Sequence, residues 1–169
     1  MRDRGFAPVA GHDAEVLILG SFPSQRSLQA RQYYAHPRNA FWPLLGRVLG
    51  TSFDVPYAKR RQLLRKNRVA LWDVVAAARR PGSLDSSIVG DTIVVNDFRE
   101  FFRAHPRIRV VCFNGAKAAE LYRRLVLPNL GKAGKLRYRR LPSTSPAHAA
   151  MPLARKLARW RVVARELSR

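Results

Sequence analysis

Apolar positions along the chain follow two regimes. Segments 15–20, 69–75 and 108–113 are apolar at nearly every position and predict strands buried on both faces. Segment 136–141 is a fourth, more polar strand of the kind found at a sheet edge. Between and beyond the strands, segments 39–49, 56–67, 96–105, 115–126 and 152–167 predict helices. Asn39 and Asn96 are suited to N-caps, and Pro106 lies just past the end of its helix. In the last segment Leu153, Leu157, Trp160, Ala164 and Leu167 form one apolar stripe, with Arg155, Arg159, Arg165 and Arg169 on the other side. Residues 1–13 read as a polar lead-in and residues 21–38 as a long loop.

Strands alternating with helices predict a three-layer α/β/α fold around a central four-stranded, mainly parallel sheet. No repeat or linker interrupts it, so residues 1–169 are expected to form a single domain. In such sheets ligands bind beyond the carboxyl ends of the strands. Residues 20–27 and 33–39 come after the first strand, Asp73 ends the second, Asn114 and Gly115 come after the third, and residues 141–148 after the fourth. Polar side chains thus converge where the topology predicts a site.

Charge changes the picture of the partner. The chain carries 32 Lys+Arg against 11 Asp+Glu, a net +21. Residues 101–169 hold 17 basic and two acidic side chains, a net +15. A polyanion is the expected partner, nucleic acid ahead of a membrane surface. The single cysteine, Cys112, sits in an apolar run as a buried, inert side chain and excludes a disulfide framework or a Cys-clustered zinc site. No apolar run is long enough to span a bilayer, and no secretory segment opens the chain. A soluble, cytoplasmic or nucleoid-associated protein is expected.

The predicted site lacks a Walker loop, a dinucleotide fingerprint, a nucleophile elbow and a carboxylate cluster for two-metal chemistry. It offers hydroxyls, two adjacent tyrosines and backbone amides, which suit base stacking and phosphate contacts. Hydrolysis of a nucleoside N-glycosidic bond fits this inventory. It needs a placed water, donors to the leaving base and a flipped nucleotide, and no metal or nucleotide cofactor.

Several motifs in order carry a resemblance. They are Leu17-Ile-Leu-Gly-Ser-Phe-Pro-Ser-x-x-Ser-Leu28, Tyr33-Tyr-Ala-His-Pro-Arg-Asn-Ala-Phe-Trp42, Leu71-Trp-Asp-Val74, Gly82-Ser-Leu-Asp-Ser86, Asn96-Asp-Phe98, Phe113-Asn-Gly115 and Leu141-Pro-Ser-Thr-Ser-Pro-Ala147. Together they resemble the hypoxanthine-DNA glycosylase branch of the uracil-DNA glycosylase superfamily, across residues 15–165. Residues 35–42 are also similar to the mismatch-specific uracil/thymine glycosylases of that superfamily.

The resemblance implies roles position by position. The superfamily's water-activating Asp or Asn falls on Phe22, so Asn39 takes that task, orienting water through its carbonyl; the alternative is a helix cap alone. Tyr34 stacks on the flipped base, and the backbone amides of Ser21 and Phe22 donate to it. Asp73 accepts from a purine N–H or caps a turn, and Asn114 reads the base or is structural. Ser24, Ser143, Thr144 and Ser145 contact DNA, with Arg139 and Arg140 nearby. The loop from Pro146 to Met151, including His148, enters the minor groove; the role of His148 stays open. The catalytic His position is Leu141, so uracil ranks second to deoxyinosine as substrate. The expected protein is a monomeric, monofunctional glycosylase, active without cofactor on double- or single-stranded DNA with deaminated bases. A non-catalytic DNA-binding module on the same scaffold is the competing class, and steep salt dependence without lesion preference would mark it.

Overall fold

The computed structural model describes residues 1–131 and 135–167, which leaves Arg169 outside the described residues. In chain order the elements are β1 (Asp3–Arg4), β2 (Val16–Gly20), α1 (Gln25–Ala30), α2 (Phe41–Leu49), α3 (Tyr57–Lys66), β3 (Val69–Asp73), β4 (Val75–Ala78), β5 (Val94–Val95), α4 (Phe98–Ala104), β6 (Val110–Asn114), α5 (Ala116–Leu121), β7 (Arg137–Leu141), α6 (Leu153–Trp160) and α7 (Val162–Glu166).

The central sheet has strand order β3-β2-β6-β7, and every pair is parallel. Alternate residues of these strands feed opposite cores. Val16 and Ile18, with Val69, Leu71, Val110 and Cys112, pack with Leu44, Leu45, Leu64 and Trp160 on one face. Leu17 and Leu19, with Ala70, Trp72, Val111 and Phe113, pack with Phe98, Phe101, Leu121 and Tyr122 on the other. Burying both faces explains the continuous apolar runs; each fully buried Leu or Ile contributes roughly 1.5–3 kcal/mol. The polar strand β7 does lie at the edge.

Several expectations need correction. The 69–75 segment is not one strand. It leaves the central sheet after Asp73, and β4 joins a small antiparallel sheet of order β1-β4-β5. The first thirteen residues, expected as a polar lead-in, are fastened to both sheets. β1 pairs with β4, Val9 bridges Leu71, and Trp72 Nε1 donates to the Phe6 carbonyl at 3.0 Å. Their apolar residues, Phe6 and Val9, supply the reason. Residues 21–38 contain a helix, α1, capped by Ser24 Oγ, which accepts from Ser27 N at 3.1 Å.

Other differences concern helix ends and faces. Asp97, not Asn96, caps α4, because the Asn96 amide donates instead to the Asp73 carbonyl at 2.7 Å. The helix at 116 turns into a π-helical turn over Tyr122–Val126. The last helix breaks at Arg161 into α6 and α7. Its stripe begins at Leu157, since Leu153 is 46% exposed, and Lys156 is buried with Nζ donating to the His148 carbonyl at 2.7 Å.

Candidate functional site

A cavity of about 870 Å³ opens at the carboxyl ends of the parallel strands. Register places Gly20 opposite Asp73, and Asn114 opposite Leu141, so the four strand ends lie in one row, and Gly20, Asp73 and Asn114 line the cavity. Ser21, Phe22, Ser24, Tyr34, Asn39, Asp73, Asn114, Ser143, Thr144, Ser145, Pro146 and His148 all line it. Residues separated by more than a hundred positions are brought together because each lies at or just beyond a strand end of the same sheet.

The aromatic loop is built around Tyr34. Its backbone is left-handed, with φ of +54°, a strained conformation for a bulky residue. Its ring stacks on Phe41 at 4.1 Å between centroids with a 23° tilt. Burial first, and then the Asp73 carboxylate, push its hydroxyl pKa up, opposed by the Asn114 amide. The Tyr34 hydroxyl has no hydrogen-bond partner of good geometry among the described residues. Tyr33 belongs to the core instead, its hydroxyl donating to the Ala7 carbonyl at 2.9 Å.

Gly20 is required where it stands. A Cβ there would lie 2.5 Å from Asp73 Oδ1 and 2.8 Å from the Tyr34 hydroxyl oxygen. Asp73 is buried, and its Oδ2 has no hydrogen-bond partner among the described residues. Desolvation, followed by the charge of Asp85, pushes its carboxyl up to about 7, while Arg80 pulls it down. Asp85 is half-buried on the loop after β4, and its Oδ1 accepts from Ser21 Oγ at 2.6 Å. The loop is anchored by Arg80, which stacks over Phe22 at 5.1 Å and donates to the carbonyls of Gly82 and Pro23. Phe22 is therefore a core side chain, and only its backbone can serve the cavity.

Asn39 stands at the start of α2, with Oδ1 accepting from Phe41 N at 3.0 Å. That bond is an Asx turn, so Asn39 is not the N-cap expected from the sequence: Ala40 holds that position, without a side-chain cap bond, and α2 begins at Phe41. The turn fixes the Asn39 amide and leaves the oxygen's second lone pair and the NH₂ group unused by that bond. The Ala40 amide donates to the Thr144 carbonyl at 3.0 Å, joining this loop to the one after β7.

That second loop is organised by Thr144, which is buried at 1% exposure. Asn114 Nδ2 donates to Thr144 Oγ1 at 2.9 Å, and Thr144 N donates to Asn114 Oδ1 at 3.0 Å. The Asn114 side chain thus holds both the hydroxyl and the backbone amide of Thr144, while Ser143 and Ser145 are only half-buried. Ser143 Oγ accepts from Ser145 N, and Ser145 Oγ from Ala147 N, which shapes the turn at Pro146–His148. His148 is exposed on that turn. Leu141, the last residue of β7, is buried in the core.

Arg139 and Arg140 do not line the cavity. Arg139 pairs with Glu166 at 3.4 Å, and Arg140 is exposed near the end of β7. Charged residues that sequence reasoning passed over do line it: Arg26, Asp85, Lys117 and Glu120, the last two paired at 3.2 Å. Asp85 lies inside the motif at 82–86, and that membership was the signal available for it.

Known proteins resemble the chain along nearly its whole length. The Uracil DNA glycosylase superfamily profile matches residues 8–167. A protein from Methanosarcina acetivorans named hypoxanthine DNA glycosylase is 41% identical over 98% of this chain and 99% of its own. One of the same name from Methanosarcina barkeri is 40% identical over 71% of this chain and 75% of its own. A solution NMR structure of a candidate uracil DNA glycosylase from M. acetivorans superposes with a TM-score of 0.78 at 38% identity, covering 97% of this chain and 99% of that one.

Proposed function

Because the chain belongs to the uracil-DNA glycosylase superfamily, we propose that it flips a deaminated base out of DNA and hydrolyses its N-glycosidic bond, hypoxanthine first. It is a hydrolase acting on N-glycosidic bonds. The observation that carries the reading is the cavity at the strand ends. Its floor, Gly20 beside Asp73 and Tyr34, belongs to a chain whose 41%-identical relative is named for that activity.

The residues divide the work. The extruded base enters between Tyr34 and the backbone of Ser21 and Phe22, with Asp73 at its polar edge. Asn39, fixed by its Asx-turn bond, presents its carbonyl to the attacking water. Ser24, Ser143 and Ser145 hold phosphates beside the lesion, and Pro146 and His148 press toward the duplex. Thr144 and Asn114 act by holding that loop in place. Arg139 and Arg140 add to the basic field that draws DNA in. With no imidazole at Leu141 to stabilise a pyrimidine oxyanion, uracil ranks below hypoxanthine.

No described helix is long and apolar enough to cross a membrane. We place the protein in the cytoplasm, associated with the nucleoid, as a monomeric single domain that acts on duplex or single-stranded DNA and needs no cofactor. The test is incubation with oligonucleotides carrying inosine, uracil or xanthine and detection of abasic sites. Hypoxanthine release ahead of uracil is expected; release of no damaged base from any of them would overturn the reading.

A further inference from the structure

If the chain is a hypoxanthine glycosylase, on which reading the inference rests, its cavity floor holds the groups for one further step. Asp73 Oδ2 and the Tyr34 hydroxyl are both buried without a partner of good geometry among the described residues. The other oxygen of the same carboxyl, Asp73 Oδ1, and the Tyr34 hydroxyl crowd one point above Gly20, and both residues line the cavity. Burying a polar group without a partner forfeits its hydrogen bonds to water. Two such groups on residues that line one cavity point to a ligand that would satisfy them.

The charged and titratable groups that bear on Asp73 come from every side. Asp85 and Arg80 lie on the loop after β4, Tyr33 and Tyr34 on the aromatic loop, and Tyr57 on α3. Of these, Asp85 disfavours the Asp73 carboxylate and Arg80 favours it. Ser21 holds Asp85 in that position through the 2.6 Å hydrogen bond.

We propose that Asp73 is a catalytic acid that donates its proton to N7 of the flipped purine, and that Asp85, fixed by Ser21, is the positioning residue behind it. As the N9–C1′ bond breaks, its electron pair passes to the base. The proton reaches N7, hypoxanthine departs neutral, and Asp73 is left as a carboxylate. Water adds through its oxygen to C1′ and loses one proton, which restores Asp73 directly or through solvent. Burial and Asp85 hold the Asp73 carboxyl at about 7, so a large fraction carries the proton near neutral pH. Uracil has no imidazole nitrogen to accept it, so the device favours purine lesions.

The experiment is single-turnover release of hypoxanthine by the full chain as a function of pH. The wild-type rate falls about tenfold per pH unit above about 7. Asp73→Asn lowers the rate by about 10²–10⁴ and removes that fall. Asp85→Asn moves the fall to lower pH with DNA affinity retained. On 7-deaza-deoxyinosine, which lacks N7, the wild type drops to the level of Asp73→Asn on deoxyinosine. Equal wild-type rates on the two substrates overturn the proposal, as does an unmoved pH profile in Asp85→Asn. Both arms remain decisive if Asp73→Asn fails to fold. A wild type that releases no hypoxanthine at any pH defeats the underlying reading instead.

Discussion

Asn114 and Thr144 are joined by two reciprocal hydrogen bonds of 2.9 and 3.0 Å, across thirty residues of sequence. This clasp ties the end of β6 to the loop after β7. It sets the height of Ser143 and Ser145 above the cavity, and the neighbouring Gly115 leaves room for it. A Cβ at Gly115 would stand 3.1 Å from Ser143 Cβ, at a φ of +99°.

Breaking the clasp should therefore weaken the fold and the site together. Asn114→Ala and Thr144→Val are each expected to lower unfolding free energy by about 1–3 kcal/mol. The double variant should lose less than the sum by about 0.5–3 kcal/mol. Urea unfolding of the four proteins measures this, and strict additivity would show that the bonds are not coupled.

Asn39 both makes the Asx turn that leads into α2 and lines the cavity, so its two tasks must be separated. Asn39→Ala should slow single-turnover excision by about 10²–10³ while DNA affinity changes little. It should also be less stable by the lost turn bond. Asn39→Asp keeps an oxygen for Phe41 N and should melt near the wild type. A loss of affinity as large as the loss of rate in Asn39→Ala would reduce the residue to a turn former.

Gly20→Ala should abolish the arrangement of Asp73 and Tyr34, because its methyl would intrude on both. Overpacking of this kind costs about 1–3 kcal/mol. The expected pattern is a lower melting temperature, excision reduced at least tenfold, and unchanged affinity for undamaged duplex. Excision at the wild-type rate would mean the floor of the cavity is not where the base sits.

Asp73 should make stability depend on pH in a definite direction. Its folded value, about 7, lies above the ordinary carboxyl value of about 4. The protonated form therefore favours folding below about pH 4, and that contribution is lost as pH rises toward 7 and beyond. Asp73→Asn cannot ionise, so its melting temperature relative to wild type should rise by several degrees between about pH 4 and pH 8. A difference that is constant with pH would show that Asp73 is not raised.

Much of the site is legible without the fold. Asn39, Tyr34, Asp73, Ser143 and His148 stand at or just beyond the ends of apolar runs or in the loops after them, and all of them line the cavity. Other features are not legible in this way. Asp85 opens a single 3-10 turn, Asp85–Ser87, too short to show periodicity, and its partner Ser21 is 64 residues away. Lys156 lies outside the apolar stripe of the last helix, yet it is buried because the His148 carbonyl sits where it can take its ammonium. Asn96 and Asp97 are both acceptable caps, and only the nearness of the Asp73 carbonyl decided between them.

The sequence by itself determined the four strands of the central sheet, their parallel arrangement, the end of the sheet at which the cavity opens and the basic character that suits a polyanion. Those properties are local or summed: runs of apolar residues bury themselves on both faces, and net charge is a count. Only the tertiary structure decided the change of sheet after Asp73, the fastening of the first residues, the Asn114–Thr144 clasp and the carboxyl pair of Asp73 and Asp85. Each of these depends on which surfaces meet. The proton affinity of a carboxyl depends on the solvent it loses and the charges it faces, and neither is written along the chain.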